Sequence, residues 1–310
     1  MASEVKIFSG TASKYLAEEI AGQLGKELGA VTITRFQDGE LEPSYNESVR
    51  GDVIFLIQST FGQAENIMEL LLMIDAARRA SAKSIIVVMP YYGYARQDRK
   101  DKPRVSIGAK LVANLLTTAG ADRIVTMDLH AGQIQGFFDI PLDHLYSIGV
   151  FFPYLENLGL ENVAIAAPDA GGAKRAREYA SFMKCDLILI DKFRERANEV
   201  ASMKVIGEVK GKNVLIIDDL VDTAGTLCKA ADHLMIEGAA SVRAVVTHPI
   251  LSGPAYERIE QSSLTELITT NTIPLRGTSS KIKVLSVAPM LARAFEKITN
   301  YESISSLYKQ

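Results

Sequence analysis

Residues 214–226 read Val-Leu-Ile-Ile-Asp-Asp-Leu-Val-Asp-Thr-Ala-Gly-Thr. Four apolar residues of strand type run directly into two adjacent carboxylates, Asp218 and Asp219. A loop of small residues follows, and then a helical pattern from about Thr226 to Glu237. An uninterrupted apolar run bounded in this way suits a strand covered on both faces of a parallel sheet. Ligands of such sheets bind outside the carboxyl ends of the strands, which is where the acids and the loop fall.

The loop's residue types carry its chemistry. Asp222, Thr223, Ala224, Gly225 and Thr226 have little bulk, and Gly225 tolerates a positive φ. Their amides can turn inward around an anion at the start of the next helix, where unpaired N–H groups and the helix dipole favour a phosphate. Asp218 and Asp219 then face the rest of the ligand, as acceptors for sugar hydroxyls or as outer partners of a metal ion. The plainer alternative is a helix cap on Asp222 or Thr223 with two acids ending a strand. The fixed order of apolar run, paired acids and five-residue cradle argues for the phosphate.

The rest of the chain sets the frame. Its 310 residues suffice for two domains of about 150 residues, each with its own core. Hydrophobic residues make up 47% and charged residues 23%, with a net charge of −3, so nothing global argues for nucleic acid or an anionic membrane. Cys185 and Cys228 both look like small buried hydrophobes, without a disulfide framework. No apolar run reaches the roughly 18 residues of a membrane span, and the N-terminus lacks a signal-peptide pattern. A cytoplasmic location is expected.

Strands alternate with helices throughout, which predicts an α/β fold with doubly wound parallel sheets. The pattern starts again near residue 147, so domains of 1–146 and 147–310 are expected. Several strand ends carry polar stretches. Arg35 leads into Phe36-Gln37-Asp38-Gly39-Glu40, where Asp-Gly marks a hairpin tip. The strand Ser84–Met89 leads into Tyr91-Tyr92-Gly93-Tyr94-Ala95-Arg96-Gln97, and residues 96–104 hold five basic and two acidic side chains. Arginines there suit a polyphosphate and the interleaved tyrosines a stacked base. A strand ending at Met127 leads into Asp128-Leu129-His130, two residues whose side chains could share a hydrated cation or touch a substrate phosphate. Another leads into Pro168-Asp169-Ala170-Gly171-Gly172, where the glycines admit a phosphate and Asp169 a metal. A polar segment from Asp191 to about Ser202 is either a solvated hairpin or a lid carrying cations.

The stretch 214–226 closely resembles the phosphoribosyl diphosphate (PRPP) binding motif of the phosphoribosyltransferase fold. With Phe36–Glu40, Gly93–Asp98, Asp128–Phe138, Pro168–Ala176 and Lys192–Arg196, the whole chain resembles the ribose-phosphate diphosphokinase family. That resemblance implies two similar domains of the type I phosphoribosyltransferase kind and transfer of the diphosphate of ATP to ribose 5-phosphate, giving PRPP and AMP. It implies Asp38, Gly39, Glu40, Arg96 and Gln97 at ATP, the hairpin reaching a neighbouring subunit's site. Asp218, Asp219 and Asp222–Thr226 would hold ribose 5-phosphate together with Arg194. His130 and Asp169 would be the Mg²⁺ residues, with Asp128 assisting. Lys192 and Arg194 match the catalytic loop, where this chain has Phe193 in place of the usual second basic residue. The resemblance further implies a homo-hexamer, with Arg50, Ser303, Ser305 and Ser306 at a regulatory anion site. A transferase that consumes PRPP and a non-catalytic regulatory subunit are the alternatives.

Overall fold

The computed structural model describes residues 4–62, 64–193 and 202–307. They form two units, 1–147 with 287–310, and 148–286. In the first, the chain runs β1 (Val5–Ser9), α1 (Lys14–Gln23), the hairpin strands β2 (Val31–Arg35) and β3 (Leu41–Tyr45), β4 (Val53–Ile57), α2 (Glu65–Arg79), β5 (Ser84–Met89), α3 (Gly108–Ala119), β6 (Arg123–Met127) and β7 (Leu142–Leu145). The sheet order is β1-β4-β5-β6-β7 and every pairing is parallel. The β2–β3 hairpin is antiparallel and separate.

The second unit continues through α4 (Ile148–Asn157), β8 (Val163–Ala167), α5 (Ala173–Met183), β9 (Asp186–Phe193), β10 (Ser202–Ile206), β11 (Asn213–Val221), α6 (Gly225–Ile236), β12 (Ser241–Pro249), α7 (Ala255–Gln261), β13 (Glu266–Thr270) and β14 (Ile282–Leu285). Its seven strands lie in the order β10-β9-β8-β11-β12-β13-β14, parallel except for β10. The winding direction reverses between β8 and β11. In an open parallel sheet such a reversal opens the crevice that takes the ligand, at the carboxyl ends of the two strands.

Side-chain alternation along β11 explains its burial on both faces. Val214 and Ile216 enter the core with Leu227, Ala231 and Leu234 of α6, whereas Leu215 and Ile217 enter the core with Phe151 of α4 and Tyr179 of α5. All four are essentially inaccessible, and each contributes about 1.5–3 kcal/mol by leaving water. The strand continues past the acids to Val221, because Leu220 and Val221 still pair with His248 and Pro249 of β12.

The last helix, α8 (Ala288–Thr299), belongs to the first unit rather than to the second half of the chain, where the sequence pattern extends to residue 310. The reason is an uncovered sheet face. Along β4, Ile54 and Leu56 pack in the core formed with α2 and α3. Phe55 points the other way and stacks on Phe295 of α8, ring centroids 4.1 Å apart and planes 18° off parallel. Phe295 is 1% exposed, so Phe295→Ala should cost about 3–5 kcal/mol. Urea unfolding of the variant measures this, and a loss well under 1 kcal/mol would show that α8 does not hold the first unit together.

Candidate active site

Both strands at the reversal of the second sheet end in the expected polar loops. By the pleat of β11, Asp219 falls on the side of Leu215 and Ile217, the side that α5 covers. There the Arg175 Nη1 of α5 donates to Asp219 Oδ1 at 2.9 Å and lies 3.8 Å from Asp218 Oδ1. The Asp219 side chain is 5% exposed and that of Asp218 28%. Asp218 Oδ1 also accepts the Asp219 N–H at 2.9 Å. Asp219 is thus tied to Arg175, and Asp218 is the more exposed of the two acids. Burial and, after it, the Asp219 charge push the Asp218 carboxyl well above the ordinary carboxylate range, against the opposing pull of Arg175.

The turn that follows has the form of a cradle. Ala224 adopts a left-handed conformation, φ +57° and ψ 0°, immediately before α6 begins at Gly225. A left-handed residue before a helix start brings successive amides to one side, and the first helical N–H groups have no partner within the helix. In the neighbouring loop after β8, Asp169 is exposed and its Oδ1 accepts the Gly172 N–H at 3.0 Å. A Cβ on Gly171 would come within 3.2 Å of that same oxygen. The loops of Asp169 and Asp218–Thr226 leave the carboxyl ends of two adjacent parallel strands, β8 and β11, on the same edge of the sheet.

In the first unit, Arg96, Gln97 and His130 share a cleft of ≈ 580 Å³ with Arg99 and Lys102. Backbone staples hold its wall. The Gly93 N–H donates to Thr60 Oγ1 at 2.8 Å, and a Cβ at Gly93 would come 2.3 Å from the Thr60 carbonyl, so only glycine fits. The Gln97 N–H donates to the Tyr94 carbonyl at 2.8 Å, and the Gln97 carbonyl accepts the Ala109 N–H of α3 at 3.2 Å. Asp98 is held by Gln133 Nε2 at 2.8 Å.

Two expectations need correction here. Tyr91 and Tyr92 cannot stack on a base, because both are buried and the Tyr92 hydroxyl donates to the Ala109 carbonyl at 2.7 Å. Tyr94, at 43% exposure, is the accessible ring of the three. Nor does Asp128 share a cation with His130. The chain turns at Asp128 through φ +36°, and its carboxylate is buried against the Ser147 hydroxyl and N–H. His130 is exposed at the cleft.

Asp38, Gly39 and Glu40 form the exposed tip of the β2–β3 hairpin and do not line that cleft. The tip is closed by the Phe36 N–H to the Glu40 carbonyl at 2.9 Å, with Gly39 at φ +97°. Lys192 lies near the end of β9, paired with Met203 of β10. Arg194 lies outside the described residues. Arg50 Nη1 donates to Ser81 Oγ at 3.1 Å, and Ser305 and Ser306 each bond to Ser303.

Comparison with known proteins identifies the family. Residues 5–120 match the N-terminal domain of ribose phosphate pyrophosphokinase, and residues 191–309 the phosphoribosyl synthetase-associated domain. The ribose-phosphate pyrophosphokinase of Porphyromonas gingivalis is 54% identical over 303 residues, 97% of each chain. That of Helicobacter hepaticus is 55% identical over 304 residues, 98% of each. The chain belongs to the ribose-phosphate pyrophosphokinase family. The crystal structure of phosphoribosylpyrophosphate synthetase from Mycobacterium smegmatis superimposes with a TM-score of 0.92 at 39% identity, covering 96% of this chain and 100% of that one. The fold is the α/β, type I phosphoribosyltransferase kind, and full-length similarity to pyrophosphokinases excludes the PRPP-consuming transferase.

Arg175 is a residue of the candidate site that the sequence did not single out. Its place within Pro168–Ala176 was visible, but its partner 44 positions away was not. The raised pKa of Asp218 has a consequence for stability. The folded protein holds that proton more tightly than the unfolded chain does, so ionisation destabilises the fold. The cost is absent below the ordinary carboxylate pKa of about 4 and grows as pH rises above it. Asp218→Asn removes the cost. Its melting temperature should exceed the parent's at neutral pH, by a margin that narrows on acidification, while turnover is lost. A thermal denaturation series across pH checks this, and a variant less stable than the parent at neutral pH would refute it.

Proposed function

We propose that the chain makes PRPP by binding ATP at the Arg96–Gln97–His130 cleft and ribose 5-phosphate on Asp218, Asp219 and Asp222–Thr226. The observation that carries this is the acid pair at the end of β11 followed by the left-handed turn into α6. It supplies hydroxyl acceptors and a phosphate cradle in the order in which ribose 5-phosphate presents its groups. In the reaction the anomeric oxygen attacks the β-phosphorus of ATP, the bond from that phosphorus to the α,β-bridging oxygen breaks, and AMP leaves. Such transfers depend on positioning and charge neutralisation more than on covalent chemistry.

Cations at the cleft, Arg96 first, would hold the nucleotide's phosphates. Lys192 and Arg194 would stabilise the charge developing on the transferred and leaving groups. The donors present fit Mg²⁺. Asp169 offers an exposed carboxylate, a hard oxygen donor, and among the described residues no cluster of three or more His, Cys, Asp and Glu forms a full cage. Mg²⁺ is characteristically held by one or two carboxylates plus water and substrate phosphates, whose charge it neutralises when bound. His130, a nitrogen donor, suits a phosphate contact better than a place on the metal.

The assembly is a homo-oligomer in this reading, a hexamer by family resemblance. The exposed tip, with Phe36 46% accessible beside Asp38, Gly39 and Glu40, supports delivery of the hairpin to a neighbouring subunit's ATP. Among the described residues no helix is long and apolar enough to cross a membrane, and the cytoplasm is the expected location.

The test is ³¹P NMR of the protein with Mg²⁺, ATP and ribose 5-phosphate. AMP and a sugar-linked diphosphate should appear together, whereas ADP would mark a simple kinase. Lys192→Ala should lower kcat by about 10²-fold or more with little change in ATP affinity. Near-normal turnover in that variant would remove Lys192 from the chemistry.

A further inference from the structure

Three consecutive carbonyl groups of the turn between β11 and α6 accept hydrogen bonds from one neighbouring segment. The Leu251 N–H reaches the Val221 oxygen at 3.1 Å, and the Ser252 N–H reaches that of Asp222 at 2.9 Å. Arg258 Nη1, from α7, reaches that of Thr223 at 2.9 Å. The Ser252 hydroxyl also donates to the Asp222 carboxylate. In a trans peptide the next residue's N–H points opposite to the carbonyl. Pinning these carbonyls to 251–258 therefore turns the amides of Asp222, Thr223 and Ala224 away from that segment, towards the opposite side of the turn.

Of the three donors, Arg258 alone brings a charge, and its position is unfavourable in isolation. A Cβ on Gly225 would come within 3.2 Å of Arg258 Nη1, so the guanidinium lies against the first residue of α6. That end of the helix already carries partial positive charge, which a neighbouring cation opposes. An anion in the cradle reverses the sign of the effect, because dipole and guanidinium then attract the same group.

We propose that Arg258 is a positioning residue for the 5-phosphate of ribose 5-phosphate. It latches the Thr223–Ala224 peptide so that the Ala224 amide faces the cradle, and its charge adds to the field there. The inference rests on the reading that 222–226 holds that phosphate, and it assigns a positioning role to Arg258 of α7, a helix that carries none of the candidate site residues.

Steady-state kinetics of Arg258→Ala and Arg258→Lys, with ATP and ribose 5-phosphate varied separately, test it. Arg258→Ala should raise KM for ribose 5-phosphate about tenfold or more, the scale of one lost charge-assisted hydrogen bond. KM for ATP and kcat should stay within about twofold, and Arg258→Lys should recover part of the loss. A merely structural role would shift both KM values together, and that result, or no shift at all, overturns the proposal. Thr226→Ala separates the two readings. If it raises KM for ribose 5-phosphate while Arg258→Ala does not, the cradle stands and Arg258 falls. If Thr226→Ala changes nothing, the cradle assignment fails and takes the inference with it. Should Arg258→Ala not fold, Arg258→Met, which keeps an unbranched side chain without donor or charge, serves for the same ratio, and an unchanged KM for ribose 5-phosphate there counts equally against the latch.

Discussion

Two carboxylates on consecutive residues of a buried strand end repel one another, and the second unit's site is arranged around that repulsion. The pleat separates the side chains to opposite faces, which gives Asp219 a cation on α5 and leaves Asp218 exposed enough to meet a ligand. Arg175 opposes the burial and the Asp219 charge that together push the Asp218 carboxyl upward. In the proposed complex, sugar hydroxyls donating to Asp218 would relieve what remains of the repulsion, so that the site would be better satisfied with substrate bound than without it.

The first unit reaches the same end with opposite charge. Its cleft concentrates Arg96, Arg99 and Lys102 in a chain whose net charge is −3. The loop that carries them is long, and it is fixed by main-chain bonds together with buried Tyr92 and Ala95 in the core. Gly93 is pressed against Thr60, and Gln97 is tied to Tyr94 and to the first turn of α3. Cations held near one another repel, so such a loop keeps its shape only if the main chain is fastened independently of the charges.

Much of this was legible from local pattern. Ser84–Met89 emerges with the bounds its apolar run suggested, Val31–Arg35 likewise, and Asp-Gly correctly marked a hairpin tip. Elements β7, β10, α4 and α7 were missed: β7, β10 and α7 are too short to stand out from loops, and α4 carries Pro153 inside it. The destination of α8 was illegible for a different reason. Its apolar stripe says that one face is buried but not which sheet buries it, and the open face around Phe55 exists only once the first sheet is assembled. The pairing of Arg175 with Asp219, and the interior positions of Tyr91 and Tyr92, are likewise facts about distant segments. The local form was most legible where residue type and strand end coincide, as in the polar turn that follows β11, and least where a bond between loops decides, as at Asp128 and Arg258.

Backbone cost is distributed in a way that separates structure from function. Among the described residues, Ser81, Lys184 and Tyr301 take positive φ just after helices, where a left-handed residue commonly ends the helix. Asn162, before β8, is of a type that tolerates that region. The remaining five, Tyr94, Arg104, Asp128, Ala224 and Leu251, all lie in loops that leave the carboxyl ends of strands. Each is a residue with a Cβ held where a side chain costs roughly 1–2 kcal/mol, and none is a glycine that would avoid the cost. At Ala224 the cost shapes the cradle, at Tyr94 and Arg104 the cationic loop, at Asp128 the turn towards His130, and at Leu251 the segment that bonds to Val221. A fold selected for stability alone has no reason to gather such residues at one end of its strands. One that must present amides and cations to a charged substrate does, because the fixed turn is what keeps those groups aimed before the substrate arrives.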